Sequence, residues 1–215
     1  MQDCNGVSTP MRSSQSFCKI MVLHLMMLPN TGKSLAVKRL LRYLKSTATY
    51  GLRIALSTSL NLSVFFDVDW AGNLTDRSSK TGYVIFLSLT PVSWSSKKQR
   101  TIAHSSTEAE YRAVASAVDE TTWVKNLLKE LNVHLPTPPM IFFDNLGVTY
   151  LCENNNLHSH MKHIAVDFHY VRQQVANKRL IFKRIPSSDQ LADTLTKPLP
   201  KSSFHRHLSK LGVVA

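Results

Sequence analysis

Leu62-Ser63-Val64-Phe65-Phe66-Asp67-Val68 is a run with apolar residues on both faces and a carboxylate near its end. Met140-Ile141-Phe142-Phe143-Asp144 repeats the pattern further along the chain. Short apolar runs of this kind predict strands buried on both sides, as in the interior of an α/β sheet. Ligand sites in such sheets lie at the carboxyl ends of strands. A single Asp there reads most simply as a cap for the next loop or helix, and Asp144 before Asn145 suits that role. Two strands ending alike shift the balance toward a shared site.

Working outward, Tyr83–Leu87 and Val92–Ser96 lie around Pro91 and predict two more strands in an antiparallel meander. Ser105-Ser106-Thr107-Glu108 opens a helix expected to run to about Leu131, with Pro136 beyond it. With Ser106 as N-cap, Ala109 takes the capping-box position; with Thr107, Glu110 takes it. One face of this helix reads Glu110, Val114, Ala117, Thr121, Val124, Leu128. That is an apolar stripe with a carboxylate on it. Glu108 falls instead with Arg112, Ala115 and Asp119, a face expected to be exposed. An unpaired carboxylate aimed at a core is costly, so Glu110 needs a cation, a proton or the wet end of the stripe.

Further on, the patterns predict a short helix over Asn145–Leu151, a long one over Met161–Ala176 and a strand over Leu180–Ile185. Ser187–Leu195 reads as a helix capped by Ser187 or Ser188, and Pro200–Leu211 as a basic helix. Asp193 is interspersed with Leu191, Ala192 and Leu195 and, taken alone, reads as a surface residue. The order of elements predicts the α/β class, a mixed sheet with helices packed on it.

The chain has 215 residues, 26 Lys+Arg against 14 Asp+Glu, a net charge of +12 and an apolar share of 43%. That is enough for one ordinary core. Cys4, Cys18 and Cys152 are few, odd in number and far apart, which excludes a disulfide framework and suits a reducing compartment. The longest apolar run, Ile20–Leu28, is interrupted by His24 and falls short of the roughly 18 residues that cross a bilayer. Neither a membrane partner nor secretion is expected, and the product is placed inside the cell, in cytoplasm or nucleus. The basic excess points to polyanions, nucleic acid first.

That excess is uneven. Residues 1–60 hold eight Lys/Arg and one Asp, and residues 61–215 hold eighteen and thirteen. The composition changes near residue 60, so three parts are expected. Residues 1–33 carry turn signals and are expected to be poorly ordered. Residues 34–60 hold a basic amphipathic helix and a connector. Its Val37, Leu40, Leu41 and Leu44 form a stripe expected to dock on a neighbouring core, with Lys38, Arg39, Arg42 and Lys45 in water. Residues 61–215 form the main domain.

Carboxylates that converge repel one another, and a divalent cation with oxygen ligands resolves the repulsion. Asp and Glu without a His/Cys set favour Mg²⁺ or Mn²⁺ over Zn²⁺. Two such ions, roughly 3.5–4 Å apart, are the machinery for in-line attack on a phosphodiester. A basic protein with an acidic pocket therefore fits a nuclease. His158, His160, His163 and His169 suggest zinc less well, because Cys152 is the sole cysteine near them. Gly-rich phosphate loops and Gly-x-Ser-x-Gly elbows are absent. Lys97-Lys98-Gln99-Arg100 reads as a loop suited to phosphate contact, and Lys178–Arg184 as an edge strand or part of a nucleic-acid track.

Longer motifs run through the same region. They are Asp67-Val68-Asp69-Trp70-Ala71-Gly72, Asp76-Arg77-Ser78-Ser79-Lys80-Thr81-Gly82-Tyr83 and Val92-Ser93-Trp94-Ser95-Ser96-Lys97-Lys98-Gln99. Ser105-Ser106-Thr107-Glu108-Ala109-Glu110-Tyr111-Arg112-Ala113, Asp144-Asn145 and Lys162-His163-Ile164 with Phe168-His169 follow, and then Asp189-Gln190-Leu191-Ala192-Asp193-Thr194-Leu195-Thr196-Lys197-Pro198-Leu199. Together they resemble the ribonuclease H domain of copia-type retrotransposon polyproteins, over residues 61–213. The resemblance implies an RNase H-like fold, a five-stranded mixed sheet with flanking helices. It implies that Asp67, Glu110, Asp144 and Asp193 are the catalytic, metal-binding set. Asp67 would bridge two Mg²⁺ ions, Glu110 and Asp144 would complete one side, and Asp193 would hold the second ion. Mn²⁺ is the alternative metal. Asp69 lies close by but outside the set. The reaction implied is endonucleolytic cleavage of the RNA strand of RNA–DNA hybrids, selected by ribose 2′-OH groups. Other parts of a polyprotein are implied as partners.

Cys4–Met11 resembles the segment after the polymerase core of these polyproteins, and Leu35–Leu52 the helix that leads into the domain. Residues 12–30 do not match what lies between. There is no paired-aspartate polymerase motif, so reverse transcription is not expected. Two competing readings are a catalytically silent transposon remnant that binds nucleic acid weakly, and an integrase-type relative. The latter's acidic triad would end in Glu, where this chain has Asp193.

Overall fold

A computed structural model of the chain describes residues 33–145 and 165–214. The helix expected over Asn145–Leu151 lies, beyond Asn145, outside the described residues. So do the segment 1–32, the start of the helix expected from Met161, and His158, His160 and His163.

Helix α1 (Lys33–Ser46) and a two-residue strand β1 (Gly51–Leu52) come first. Strands β2 (Leu62–Asp69), β3 (Lys80–Leu87) and β4 (Thr90–Lys98) form the expected meander. Helix α2 (Ser106–Glu130) leads to β5 (Met140–Phe143), α3 (Ala165–Ala176) leads to β6 (Ile181–Arg184), and α4 (Asp193–Thr196), α5 (Lys201–Lys210) and β7 (Val213–Val214) close the chain. The main sheet has five strands in the order β4-β3-β2-β5-β6. β2, β3 and β4 pair antiparallel, whereas β5 runs parallel to β2 and β6 parallel to β5. This is the mixed sheet that the sequence predicts.

Both faces of the sheet are covered, which explains the apolar runs. Leu62, Val64 and Phe66 alternate onto one face with Ile85, Ile141 and Phe143, under Val114, Ala117 and Val118 of α2 and Val171 of α3. Phe65 points the other way and packs with Val84, Phe86, Leu191 and Leu195. The α2 stripe is buried along its whole length, from Glu110 through Val114, Ala117, Thr121 and Val124 to Leu128. Truncating a fully buried member such as Ile141 to Ala should cost about 2–5 kcal/mol.

Five local expectations are corrected. Lys97 and Lys98 are not in a loop, because the β3–β4 ladder continues through Thr81↔Lys97 and Lys80↔Lys98. The cap of α2 is Ser105, whose side chain accepts from Glu108 N at 3.1 Å. Glu108 is then the residue that curls back, its Oε2 accepting from His104 N at 2.8 Å. It is 2% exposed rather than on a solvated face, because Arg112 pairs with it at 2.5 Å and also ties down Thr101. Ser187–Leu195 is not one helix. A single 3-10 turn (Ser187–Asp189) follows Pro186, and Gln190 turns extended before α4 starts at Asp193. Finally, Val37 and Leu41 of the α1 stripe are 53% and 59% exposed rather than docked. Tyr43 anchors that helix instead, packing with Tyr50 and Leu52 around Phe204 and Leu208 of α5.

The small β1–β7 sheet was not legible in the sequence, because two-residue strands show no periodicity. It pairs Gly51 with Val214 and Leu52 with Val213, and Arg53 N adds a bond to Gly212 O at 2.8 Å. Among the described residues no helix is long and apolar enough to cross a membrane.

Candidate active site

Because β5 runs parallel to β2, with Phe65 beside Phe142, both strands deliver their carboxyl ends to the same edge of the sheet. That register sets Asp67 and Asp144 next to each other. Asp67 is buried and Asp144 half-buried. Asp67 lies across from Gly82 on β3. A Cβ at Gly82 would come within 2.8 Å of Leu195 Cβ and Thr196 Cγ2, so the missing side chain is what lets α4 press onto the sheet there. Ser96 of β4 fastens the same helix by donating to Leu195 O at 2.6 Å.

α4 and Lys197, which follows it, then bring three polar side chains to Asp67. Thr196 Oγ1 donates to Asp67 Oδ2. Lys197 Nζ lies 3.5 Å from Asp67 Oδ2 and 2.9 Å from Asp193 Oδ1. Asp193 is buried, not a surface residue, since the packing of α4 carries it inward with Leu195.

Glu110 enters from the opposite face of the sheet, in the first turn of α2, and is 4% exposed. Its Oε1 accepts from Asn145 Nδ2. Its Oε2 is buried without a hydrogen-bond partner among the described residues. Capping does not account for Glu110, because Ser105 and Glu108 perform that task.

The electrostatics tie the four acids together. Burial pushes the Glu110 carboxyl up to about 7, helped by Asp144 and then Asp67. Burial likewise pushes Asp193 up to about 7, with Asp67 adding to the effect and Lys197 opposing it. For Lys197, burial works against its charge, yet Asp67, Asp193 and Asp144 outweigh that and hold it above the ordinary value. Asp69, at the end of β2, is raised by burial, with Lys80 opposing and Asp67 adding. It therefore borders the set, within reach of the Asp67 and Lys197 charges.

All the donors here are carboxylate oxygens, which suit a hard divalent cation. The orphaned Glu110 Oε2 and the ammonium standing between Asp67 and Asp193 both mark a place that wants positive charge. Among the described residues no three acid, His or Cys side chains close to metal-binding distance as they stand. Lys197 gathers Asp67 and Asp193 around itself, and Asn145 holds Glu110. The donor set suits a divalent ion in kind, while as the side chains stand the Lys197 ammonium occupies the place between Asp67 and Asp193.

Sequence reasoning missed Lys197, Thr196 and Gly82 as parts of this site. Gly82 carried a signal, a glycine inside a strand where another backbone approaches closely. Beside the site, Lys97, Lys98, Arg100, Arg112 and Trp123 line a groove of about 650 Å³ between β4 and α2. Lys98 pairs with Asp76 at its rim.

No family model matches the chain. It is 47% identical over 188 residues to the retrovirus-related Pol polyprotein from transposon RE1 of Arabidopsis thaliana, which covers 87% of this chain and 13% of that protein. It is 48% identical over 179 residues to the counterpart from transposon RE2 of the same plant, with 83% and 12% covered. The Pol polyprotein from transposon TNT 1-94 of Nicotiana tabacum is 36% identical over 179 residues, with 82% and 13% covered. The chain thus spans about one eighth of the length of these relatives. Among solved structures, LC11-RNase H1 in complex with an RNA/DNA hybrid is 15% identical, with a TM-score of 0.46 over 63% of this chain and 94% of that one. The N-terminal RNase H domain of a Mycobacterium tuberculosis protein is 14% identical, with a TM-score of 0.45 over 70% and 98%. At that level the likeness adds nothing to what strand order and register already establish.

Proposed function

We propose that this chain, an RNase H-like domain related to the Pol polyproteins of copia-type retrotransposons, cleaves the RNA strand of RNA–DNA hybrids with divalent metal held by Asp67, Glu110, Asp144 and Asp193. One observation carries the reading. Glu110, deeply buried and excused from capping, offers an unpartnered oxygen to the carboxyl ends of two parallel strands that each deliver an Asp. A carboxylate buried there without a partner needs a proton or a cation, and Asp144 and Asp67 beside it favour a cation.

Bound metal, Mg²⁺ first and Mn²⁺ as the substitute, would supply activation of the attacking water and neutralisation of charge on the phosphoryl group. The chain's own residues do the rest. β2 and β5 fix Asp67 and Asp144, α2 fixes Glu110, and α4 fixes Asp193. Thr196 orients the Asp67 carboxylate, and Asn145 orients Glu110. Lys97, Lys98 and Arg100 are exposed beside the groove and are suited to hold backbone phosphates. On this reading residues 61–215 are the nuclease domain and residues 34–60 its connector, although β1 stitches that connector to the tail.

The test is incubation of the purified chain with labelled RNA–DNA hybrid and Mg²⁺, with duplex DNA and duplex RNA as controls. Hybrid-selective cleavage that Asp67→Asn abolishes is the expected result. Absence of cleavage by a folded sample, or cleavage indifferent to Asp67→Asn, would overturn it.

A further inference from the structure

The site just described already contains a cation that belongs to the chain. Lys197 follows Asp193 by one helical turn, and its Nζ contacts both Asp193 and Asp67. The backbone repeats the link, with Lys197 N donating to Asp193 O at 3.1 Å. The ammonium is therefore leashed to the acid it neutralises. The two carboxylates are buried, whereas the lysine side chain is 38% exposed. Its head has a way out to solvent, and theirs do not.

The charge count makes the arrangement incomplete. Lys197 brings one positive charge to a pocket in which Asp67 and Asp144 each act on both Glu110 and Asp193. It reaches two of them. A divalent ion brings twice the charge and gathers more oxygens at shorter range. An ammonium can occupy that place but cannot satisfy it.

We propose that Lys197 is a built-in placeholder cation, which holds Asp67 and Asp193 together in the metal-free protein and must swing out before a divalent ion binds there. This rests on the reading of Asp67 and Asp193 as metal ligands. Lys197 is then a positioning residue with two opposite effects. It stabilises the metal-free fold by neutralising two buried carboxylates, and it weakens metal binding by competing for them. A residue that merely propped up α4 would do the first and not the second.

Calorimetric titration of the whole chain with Mg²⁺, without nucleic acid, separates these. Lys197→Met should bind Mg²⁺ about 5- to 100-fold more tightly than wild type, in the range of ordinary coupling between linked sites. Without Mg²⁺ it should melt several degrees lower, and the gap should close at saturating Mg²⁺. Lys197→Arg should keep the wild-type melting temperature and the weaker binding. Unchanged or weaker Mg²⁺ binding by a folded Lys197→Met, or a melting gap that persists at saturating Mg²⁺, overturns the proposal. If the folded wild type binds no Mg²⁺, the metal-site reading falls with it; if wild type binds and Lys197→Met binds no tighter, only the placeholder falls. A second readout needs no variant. Reductive methylation of Lys197, followed by mass spectrometry against the exposed Lys129, should accelerate severalfold on adding Mg²⁺. An unchanged rate rules the displacement out.

Discussion

Phe65-Phe66-Asp67 and Phe142-Phe143-Asp144 are the same three residues on neighbouring parallel strands, yet the fold treats their acids differently. The strands are locked alike, with Phe65 stacked on Phe142 at 4.8 Å. β2 then continues to Asp69, paired with β3, so Asp67 lies under α4 in contact with Thr196 and Lys197. β5 stops at Phe143, and Asp144 is left half-buried beside Asn145. The lesson is that a strand delivers a carboxylate, whereas the element covering the strand end decides what that carboxylate becomes.

The largest expected effect would fall on both acids, but unequally. Asp67→Asn should lower hybrid cleavage by about 10³-fold or more, on the order of 4 kcal/mol of barrier, and Asp144→Asn by about 10²-fold. Equal rates in a single-turnover assay would erase the contrast between the roofed and the half-open acid. Next comes the pair of glutamates on α2. Glu108→Ala removes the buried partner of Arg112 and the bond to His104 N, and should cost about 2–4 kcal/mol in urea unfolding. Glu110→Gln should cost nothing without metal while abolishing cleavage. Matching stability losses would make Glu110 a structural residue after all.

Gly82→Ala tests the roof itself. Forcing a methyl against Leu195 and Thr196 should cost about 1–3 kcal/mol and lift α4 from Asp67. Weaker Mg²⁺ binding in calorimetry should accompany it, and unaltered binding would mean that α4 need not press so closely.

A smaller effect concerns pH. Glu110 and Asp193 have folded-state values near 7, above their ordinary 4.5 and 3.8. The folded state therefore holds these protons more tightly than the unfolded chain. The stability they contribute is complete below those ordinary values and is lost as pH rises through about 7. Metal-free wild type should lose about 1–3 kcal/mol relative to Glu110→Gln between pH 4.5 and 7.5. His207 works the other way, since burial lowers its value and its contribution disappears as pH falls below 6.5. Comparing the two proteins at each pH cancels that term, and parallel curves in denaturant titrations would refute the Glu110 assignment. The smallest change is Phe142→Leu, which loses the stack on Phe65 at a cost of about 1 kcal/mol and should leave Asp67 in place.

How much was legible follows from the range of each signal. The strands and the α2 stripe were readable because burial on a regular element repeats every two or every 3.6 residues. Glu110 stood out for the same reason, an acid on a buried stripe. The start of α2 was misread, since Ser105, Ser106 and Thr107 are all good caps and only the fold of the 99–104 loop selects Ser105. Asp193 was misread without the family resemblance because a four-residue helix carries too few residues for a periodic signal.

By itself, the sequence determined which residues could be strands and helices, which acids stood where acids are costly, and that their donors are oxygens suited to a hard cation. Tertiary structure alone decided that β5 lies parallel beside β2, that α4 comes down on Gly82, and that Lys197 reaches both Asp67 and Asp193. The physical reason is separation along the chain. Local periodicity records whether a side chain is buried, but not which distant side chain is buried against it, and Thr196 meets Asp67 across 129 residues.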